Sequence, residues 1–305
     1  MVALLTEKLD RPLVIYHNPC TDGFTAAYAA WTVHGNQADY HPSTHSDALP
    51  DVKGRNVVVL DYAYDRRTTL NMIKAAKHYE QHDHHADAYA RLHGICQCKF
   101  CLDKSGAGMA WDRFQPGKEM PKLFEIVQAN DLRQFTDEGR AMRSYIQRQD
   151  KKFENWQTLH QRLDDPAEYK KIRDEAYPLW EKDKVLVAGM ADGHERFKVG
   201  HLEGYIAQVG NPYYGADTAD YLAEKAKKDG LPGALGVTWR TNANKPDMVQ
   251  GSVRSGDARI DCSFVANKLF EDPKAGGHAA ASGFNNIPVS KWGSFMKRIT
   301  GSGPS

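Results

Sequence analysis

The sequence predicts an α/β protein: a parallel sheet flanked by helices, followed by a smaller mixed α/β domain. Three observations predict it. Short β-branched runs alternate with helical segments through the first half of the chain, which implies crossover helices between parallel strands. From about Ser105 to Lys184 the apolar spacing is almost wholly helical. The remainder mixes strand and helix patterns. With 305 residues and 41% apolar content, two domains are more natural than one. We place them at residues 1–190 and 197–300, with the polar segment ADGHERF (191–197) as linker.

Taken in order, PLVIYHN is apolar and β-branched and reads as a buried strand. DGFTAAYAAWTVHG follows as a helix, its Ala and aromatic residues on one face and Gly35 at its end. RNVVVLDYAY is the strongest strand, and RTTLNMIKAAKH the next helix. HYEQHDHH is assigned as a strand mainly from its context. SGAGMAWDRF, PKLFEIVQAN and DPAEYKKIRDEAYPLWEKDKVLVA have helical spacing. Beyond the linker, FKVGHLEGYIAQVG, GALGVTWRT and MVQGSVRS read as strands, and ADTADYLAEKAKKDG and ARIDCSFVANKLF as helices. The tail GSGPS reads as disorder or as a remnant of cloning.

Charge and composition exclude several classes. Lys plus Arg number 40 against 39 Asp plus Glu, so the cationic excess that a long DNA duplex demands is missing. A small or short anionic ligand remains compatible if positive groups gather locally. No apolar run approaches the roughly 20 residues needed to cross a bilayer, and MVALLTEKLDRP has neither a basic leader nor a cleavage signal. The expectation is a cytoplasmic protein without membrane association. Five cysteines, odd in number and unevenly spread, argue against a secreted disulfide framework.

Five polar clusters carry the chemistry: YHNPCTDGF, VVVLDYAYD, Asp83-His84-His85, ANDL and GGHAAASGF. His17, Asp22, Asp61 and His84 all fall at or just after expected strand ends. In a parallel sheet, ligands bind outside the carboxyl ends of the strands, so these residues can converge although distant in sequence. Carboxylates with neutral imidazoles suit Mn2+, Mg2+ and related divalent ions. Two such ions about 4 Å apart can hold a phosphoryl group and lower the pKa of a water. Asp61, presented by a rigid strand, is a good bridge between them. Taken singly, Asp22 is better read as a helix N-cap, Asp61 as a turn residue and Asp-His-His as a solvated strand end; the joint pattern favours the metal site. In the last cluster Gly276 and Gly277 allow close backbone approach, and His278 with exposed N–H groups can receive phosphate oxygens; taken alone, this segment is a glycine turn entering a strand. Arg254 has a planar fork suited to phosphate, against the plainer role of a surface salt bridge.

Cys96, Cys98 and Cys101, with His93, make only half of a usual zinc signature, and loop or core thiols are the preferred reading. Cys262 lies in an apolar helical pattern and is expected in the core. His41, His45, His160 and His194 are expected at the surface.

On these residues the chain resembles the DHH phosphoesterase superfamily with its DHH-associated C-terminal domain, over roughly residues 12 to 290. Asp83-His84-His85 matches the name-giving motif and GGHAAASGF the family's glycine-glycine-histidine segment. HNPCTDGFTAAYAAW and SGAGMAWDRF are similar to the exopolyphosphatase-like and nanoRNase-like branch. The resemblance implies a parallel-sheet DHH domain, a smaller C-terminal domain and an active site in the cleft between them. It implies Mn2+-dependent hydrolysis of phosphodiester or phosphoanhydride bonds by metal-activated water, with Mg2+, Co2+ or Zn2+ as other ions. By position, Asp22, Asp61, His84 and Asp131 would form one metal site with Asp61 bridging, and His17 would belong to the other. His85 would face the phosphate, with Asp83 orienting the histidines. Arg254 and His278, with Gly276 and Gly277, would hold the distal part of the substrate.

The first motif departs from the family. Cys20 stands in the place of its first aspartate, His17 is one residue closer than in the pattern, and Tyr16 aligns with the family's histidine. A thiolate there favours softer ions such as Zn2+. Whether one ion or two are held, and whether the chain forms a homodimer, is not written in these residues. The preferred substrates are short single-stranded oligonucleotides or small nucleotides. Polyphosphate or pyrophosphate hydrolysis, and non-catalytic binding of nucleotides or cyclic dinucleotides, are the alternatives.

Overall fold

The structure is a computed structural model that describes residues 10–44, 48–243, 245–270, 276–278 and 281–301. It divides into two compact units between Glu181 and Lys182.

The first unit begins with β1 (Leu13–His17), α1 (Thr21–His34), β2 (Asp39–Ser43) and β3 (Asn56–Leu60). It continues with α2 (Arg66–Ala75), β4 (His78–Asp83), α3 (Ala86–Leu92) and β5 (Cys98–Phe100). The strands form one sheet in the order β2-β1-β3-β4-β5. Every pairing in it is parallel, as the strand–helix alternation predicts. The chain leaves β1 for β2 on one side and returns to β3 on the other. The gap between β1 and β3 is therefore a topological switch point, where open α/β sheets bind ligands.

β1 and β3 read as continuous apolar runs because both faces of the sheet are covered. Val14, Tyr16, Val58 and Leu60 pack on one face against the alanine-rich α1 and the helical segment that follows β5. Leu13, Ile15, Val57 and Val59 pack on the other, with Met72 of α2 and Tyr79 of β4. β4 differs: its interior includes the buried polar residues Glu80, Gln81, His82 and Asp83.

The helical segment comprises α4 (Gly106–Phe114), α5 (Lys122–Asp131), α6 (Asp137–Ile146), α7 (Phe153–Asp164) and α8 (Pro166–Ala191). Ser105 caps α4 by accepting from Gly108 N. Asp165 caps α8 by accepting from Ala167 N and Glu168 N, with Pro166 at the first helical position, where its missing N–H costs nothing. α8 contains both the division between the units and Pro178. The segment 191–197, expected as linker, is the end of α8, a turn at 192–193 and the beginning of the next strand.

The second unit contains β6 (Glu195–Val199), β7 (Leu202–Gln208), α9 (Gly215–Lys228), β8 (Leu235–Asn242) and β9 (Lys245–Ser255). It ends with α10 (Cys262–Phe270), β10 (Gly276–His278), β11 (Ala281–Pro288) and α11 (Val289–Thr300). FKVGHLEGYIAQVG resolves into the antiparallel pair β6–β7, turning at Gly200, which has φ +60°. The sheet order is β10-β11-β9-β8-β7-β6. It is a mixed sheet, with β7–β8 parallel and the other pairs antiparallel. Its core stacks Phe270 on Phe284, ring centroids 3.9 Å apart, beside Trp292 and the fully buried Cys262. The architecture is thus the expected parallel-sheet domain followed by a mixed α/β unit. Among the described residues no helix is long and apolar enough to cross a membrane. The expectations for residues 1–9 and 302–305 lie outside the described residues.

Candidate metal centre

The switch point gathers the polar residues. His17 ends β1, Asp61 follows β3, and Asp83, His84 and His85 end or follow β4. Asp22 lies in the first turn of α1 and Asp131 is the last residue of α5. His84 Nε2 sits among three carboxylates, 3.1 Å from Asp61 Oδ1, 3.4 Å from Asp131 Oδ2 and 3.8 Å from Asp22 Oδ2. The other oxygen of Asp61, Oδ2, is 3.6 Å from His17 Nδ1. Asp61 therefore stands between two imidazoles, one oxygen toward each.

Local backbone structure fixes these positions. Asp61 has φ +54°, a left-handed conformation costly for a residue with a Cβ, and its N–H donates to His82 O at 2.9 Å. Gly23 lets α1 start directly over the end of β1: a Cβ there would lie 2.2 Å from His17 O. Asp22 is not a helix N-cap, as a reading of that residue alone suggested; Cys20 occupies the cap position of α1. Asp22 Oδ1 instead accepts from Ser105 Oγ at 2.6 Å and Ala107 N at 3.1 Å, at the N-terminus of α4. The positive end of that helix suits a buried carboxylate. Asp83 Oδ1 accepts from His84 N, His85 N and His85 Nδ1, at 2.7, 3.2 and 2.7 Å. One carboxylate thus holds both the main chain and the ring of the histidine pair. Nor is Asp-His-His the solvated strand end that it suggests in isolation, since Asp83 and His84 are buried; Asp61 does lie in the bend after β3, but buried.

The electrostatics are strained without a cation. Asp22, Asp61 and His84 are at most 2% exposed. Asp22 Oδ2, Asp61 Oδ2 and Asp131 Oδ2 are buried and have no hydrogen-bond partner. Burial, then the charges of Asp131 and Asp61, pushes Asp22 well above the usual carboxylate range. Burial also raises Asp131. Burial opposes ionisation of Asp61 as well, but the nearby His17 and the hydrogen bond to His84 hold it below that range. Burial works against a charged His84, yet Asp61 and Asp131 push it up to about 9. Desolvation also works against a charged His85, yet it is pushed up to about 10, chiefly by Asp83. Burial and then the three neighbouring carboxylates raise the Cys20 thiol. Uncompensated buried carboxylates are expensive, and a divalent ion removes that cost. Among the described residues the donor atoms form three close groups: His17–Cys20–Asp61, Asp61–His84–His85 and Asp22–His84–Asp131. All are carboxylate-and-imidazole sets, one with sulfur added.

Ser105, Gly106 and Ala107 are the parts that sequence reasoning missed. They belong to the SGAG run, whose capping serine and small residues are the signal. Gly106 is required by close approach, since a Cβ on it would lie 2.4 Å from the Cβ of Asp61.

The remaining expected site residues lie in the second unit. Arg254 Nη1 donates to Val253 O and Ser282 O at 2.9 and 3.1 Å, and its Nε lies 3.6 Å from Asp220 Oδ1 of α9. Gly276, Gly277 and His278 form β10. His278 is opposite Ala281 of β11, and Ala281 is opposite Arg254 of β9. The three residues therefore share one row across the sheet. Residues 279–280 of GGHAAASGF are outside the described residues, as is His45. Among the described residues Cys96, Cys98, Cys101 and His93 form no close donor group. His160, expected at the surface, is part-buried between Tyr28 Oη at 2.9 Å and Asp164 Oδ2 at 3.1 Å.

No protein-family model matches the chain. The chain is 25% identical over 295 residues to an uncharacterised protein, R106, of Acanthamoeba polyphaga mimivirus. That match covers 89% of this chain, which spans 66% of the relative's length. Among solved structures it is similar to RecJ of Thermus thermophilus in complex with Mn2+, at TM-score 0.51 and 15% identity. That likeness covers 94% of this chain and 51% of RecJ. A pGpG-specific phosphodiesterase, PggH, of Vibrio cholerae matches at 15% identity and TM-score 0.46, over 94% of this chain and 96% of its own. The likeness to RecJ shows a shared fold.

Proposed function

We propose that the chain is a divalent-metal-dependent phosphohydrolase that prefers Mn2+ and acts on short single-stranded oligonucleotides or small nucleotides. The observation that carries this reading is the gathering of Asp22, Asp61 and Asp131 around His84 Nε2, with Asp22 Oδ2 and Asp131 Oδ2 there, and Asp61 Oδ2 on the side of His17, buried without hydrogen-bond partners. That set fits a divalent cation in donor type and in its need for charge compensation. Asp22, Asp61, His84 and Asp131 would hold one ion, and His17 with Asp61 a second. Bound divalent ions supply charge stabilisation for a phosphoryl group and acidify water.

The chain's own residues do the rest. Asp61, with one oxygen toward each side, would serve both positions. Asp83 fixes His85, whose part-exposed ring offers an N–H to a phosphate oxygen. His85, Asp83 and Asp61 are the residues assigned to catalysis. Arg254 with Gly276, Gly277 and His278 would hold a second phosphate or a terminal nucleotide. The balance of 40 cationic against 39 anionic residues supports a short substrate over a long duplex.

The test is a Mn2+ assay against short RNA and DNA oligomers, 3′-phosphoadenosine 5′-phosphate, cyclic dinucleotides and polyphosphate. The expected result is nucleotide release from the oligomers or phosphate release from the small nucleotide, abolished in Asp61→Ala with the fold retained. Full turnover by that variant refutes the assignment. Turnover of polyphosphate alone would transfer the reading to an exopolyphosphatase.

A further inference from the structure

The first motif brings one nitrogen, one sulfur and one oxygen donor together. His17, Cys20 and Asp61 each offer an atom within 4.8 Å of the others. Asp22, His84 and Asp131 form a separate group of the same tightness, with oxygen and nitrogen donors alone. Asp61 turns Oδ2 toward the first group, 3.6 Å from His17 Nδ1, and Oδ1 toward the second.

Cys20 lies at the start of α1. It holds the N-cap position of α1 but makes no side-chain cap hydrogen bond. It is part-exposed, whereas Cys262 is fully buried in an apolar core. An independent observation points to a ligand at this place. Asp61, 2% exposed, leaves Oδ2 without a hydrogen-bond partner within the same group.

Donor softness then separates the two groups. Thiolate selects softer ions such as Zn2+, while carboxylate-rich sets suit Mn2+ and Mg2+. We propose that His17, Cys20 and Asp61 form a thiolate-containing site for a soft divalent ion of the Zn2+ class, beside a harder site at Asp22, His84 and Asp131. The chain would thus hold an unlike pair of ions joined through Asp61. Binding at the first site forms a sulfur–metal bond and releases the Cys20 proton to water. This inference rests on the metal-centre reading above and assigns the ion preference of one half of it.

The experiment is a Co2+ titration of the full chain followed by absorbance. Coordination through Cys20 is expected to produce a near-ultraviolet thiolate-to-cobalt charge-transfer band that saturates with bound metal. Cys20→Ser and Cys20→Asp should lose that band. Cys96→Ser, which alters an exposed thiol, should keep it. Cadmium NMR of the unmodified chain gives a reading that needs no variant, because a sulfur ligand moves the resonance far from the position of an all-oxygen-and-nitrogen site. Co2+ that binds without the band, or a band that persists in Cys20→Ser, overturns the thiolate site while leaving the metal centre standing. Failure of the unmodified chain to bind any divalent ion overturns both.

Discussion

Gly106 and Asp61 are in such close approach that the first turn of α4 has room for a hydrogen and nothing larger. A methyl group on Gly106 would lie 2.4 Å from the Cβ of Asp61 and 2.7 Å from its Oδ1. Gly106→Ala must therefore move either α4 or the carboxylate. Overpacking of this kind costs about 1–3 kcal/mol. The expected outcome is a lowered melting temperature together with weakened Mn2+ binding, read by thermal unfolding and calorimetry. Values like those of the unmodified chain in both would show that the contact does not position Asp61.

Ser105 serves two partners. It accepts from Gly108 N as the cap of α4 and donates to Asp22 Oδ1 at 2.6 Å. Ser105→Ala leaves a buried carboxylate with one donor fewer, and the loss of a cap alone costs about 1 kcal/mol. Urea unfolding should show a loss of that size or more. A smaller loss would mean that Ala107 N suffices to hold Asp22.

Asp83 touches no other carboxylate by hydrogen bond, but it fixes His84 and His85 through three donors. Asp83→Asn keeps the shape and removes the charge that assists the bond from His85 Nδ1. Loss of such an orienting partner costs roughly 10–100-fold in metal affinity or activity. A titration of the variant with Mn2+, beside its rate of hydrolysis, checks this; affinity and rate both unchanged would leave Asp83 a structural residue.

Away from the centre, Glu80 is buried in β4 and accepts from Arg113 Nε at 3.0 Å and Nη2 at 2.8 Å. Burial opposes its ionisation, but the bonds from His82 and Arg113 hold its carboxyl down to about 2, against 4.5 ordinarily. The folded value lies below the unfolded one, so this stabilisation is present above pH 4.5 and lost as pH falls toward 2. Its size is on the order of 3 kcal/mol. Urea midpoints measured across that window should fall more steeply for the unmodified chain than for Glu80→Gln, and parallel curves would refute the coupling.

Much of the first unit was legible because its physics is local. β1 and β3 are apolar runs between polar turns, and a parallel sheet puts the residues after its strands along one edge. That is why His17, Asp22, Asp61 and His84 could be grouped before any geometry was known. Asp131 could not be reached that way. It ends a helix, and although ANDL stood out as a polar cluster, only the resemblance gave Asp131 a place at the metal. β4 gave a weak signal because Glu80, Gln81, His82 and Asp83 are buried polar residues that satisfy partners instead of filling a core. β2, with Pro42 and largely part-exposed side chains, has the composition of an edge strand and no apolar period. Helix α11 is legible only after the fact: Trp292, Phe295, Met296 and Ile299 recur at helical spacing and are buried. The SGAG run shows what one-dimensional reading loses: its glycine is required by a side chain 45 positions upstream, at Asp61.

The most direct test of the metal centre is calorimetric titration of Mn2+ into the unmodified chain and into Asp61→Asn, with circular dichroism to show that both are folded. The account predicts saturable binding to the unmodified chain and its loss in the variant. Equal binding by the two folded proteins, or none by the unmodified chain, would contradict it.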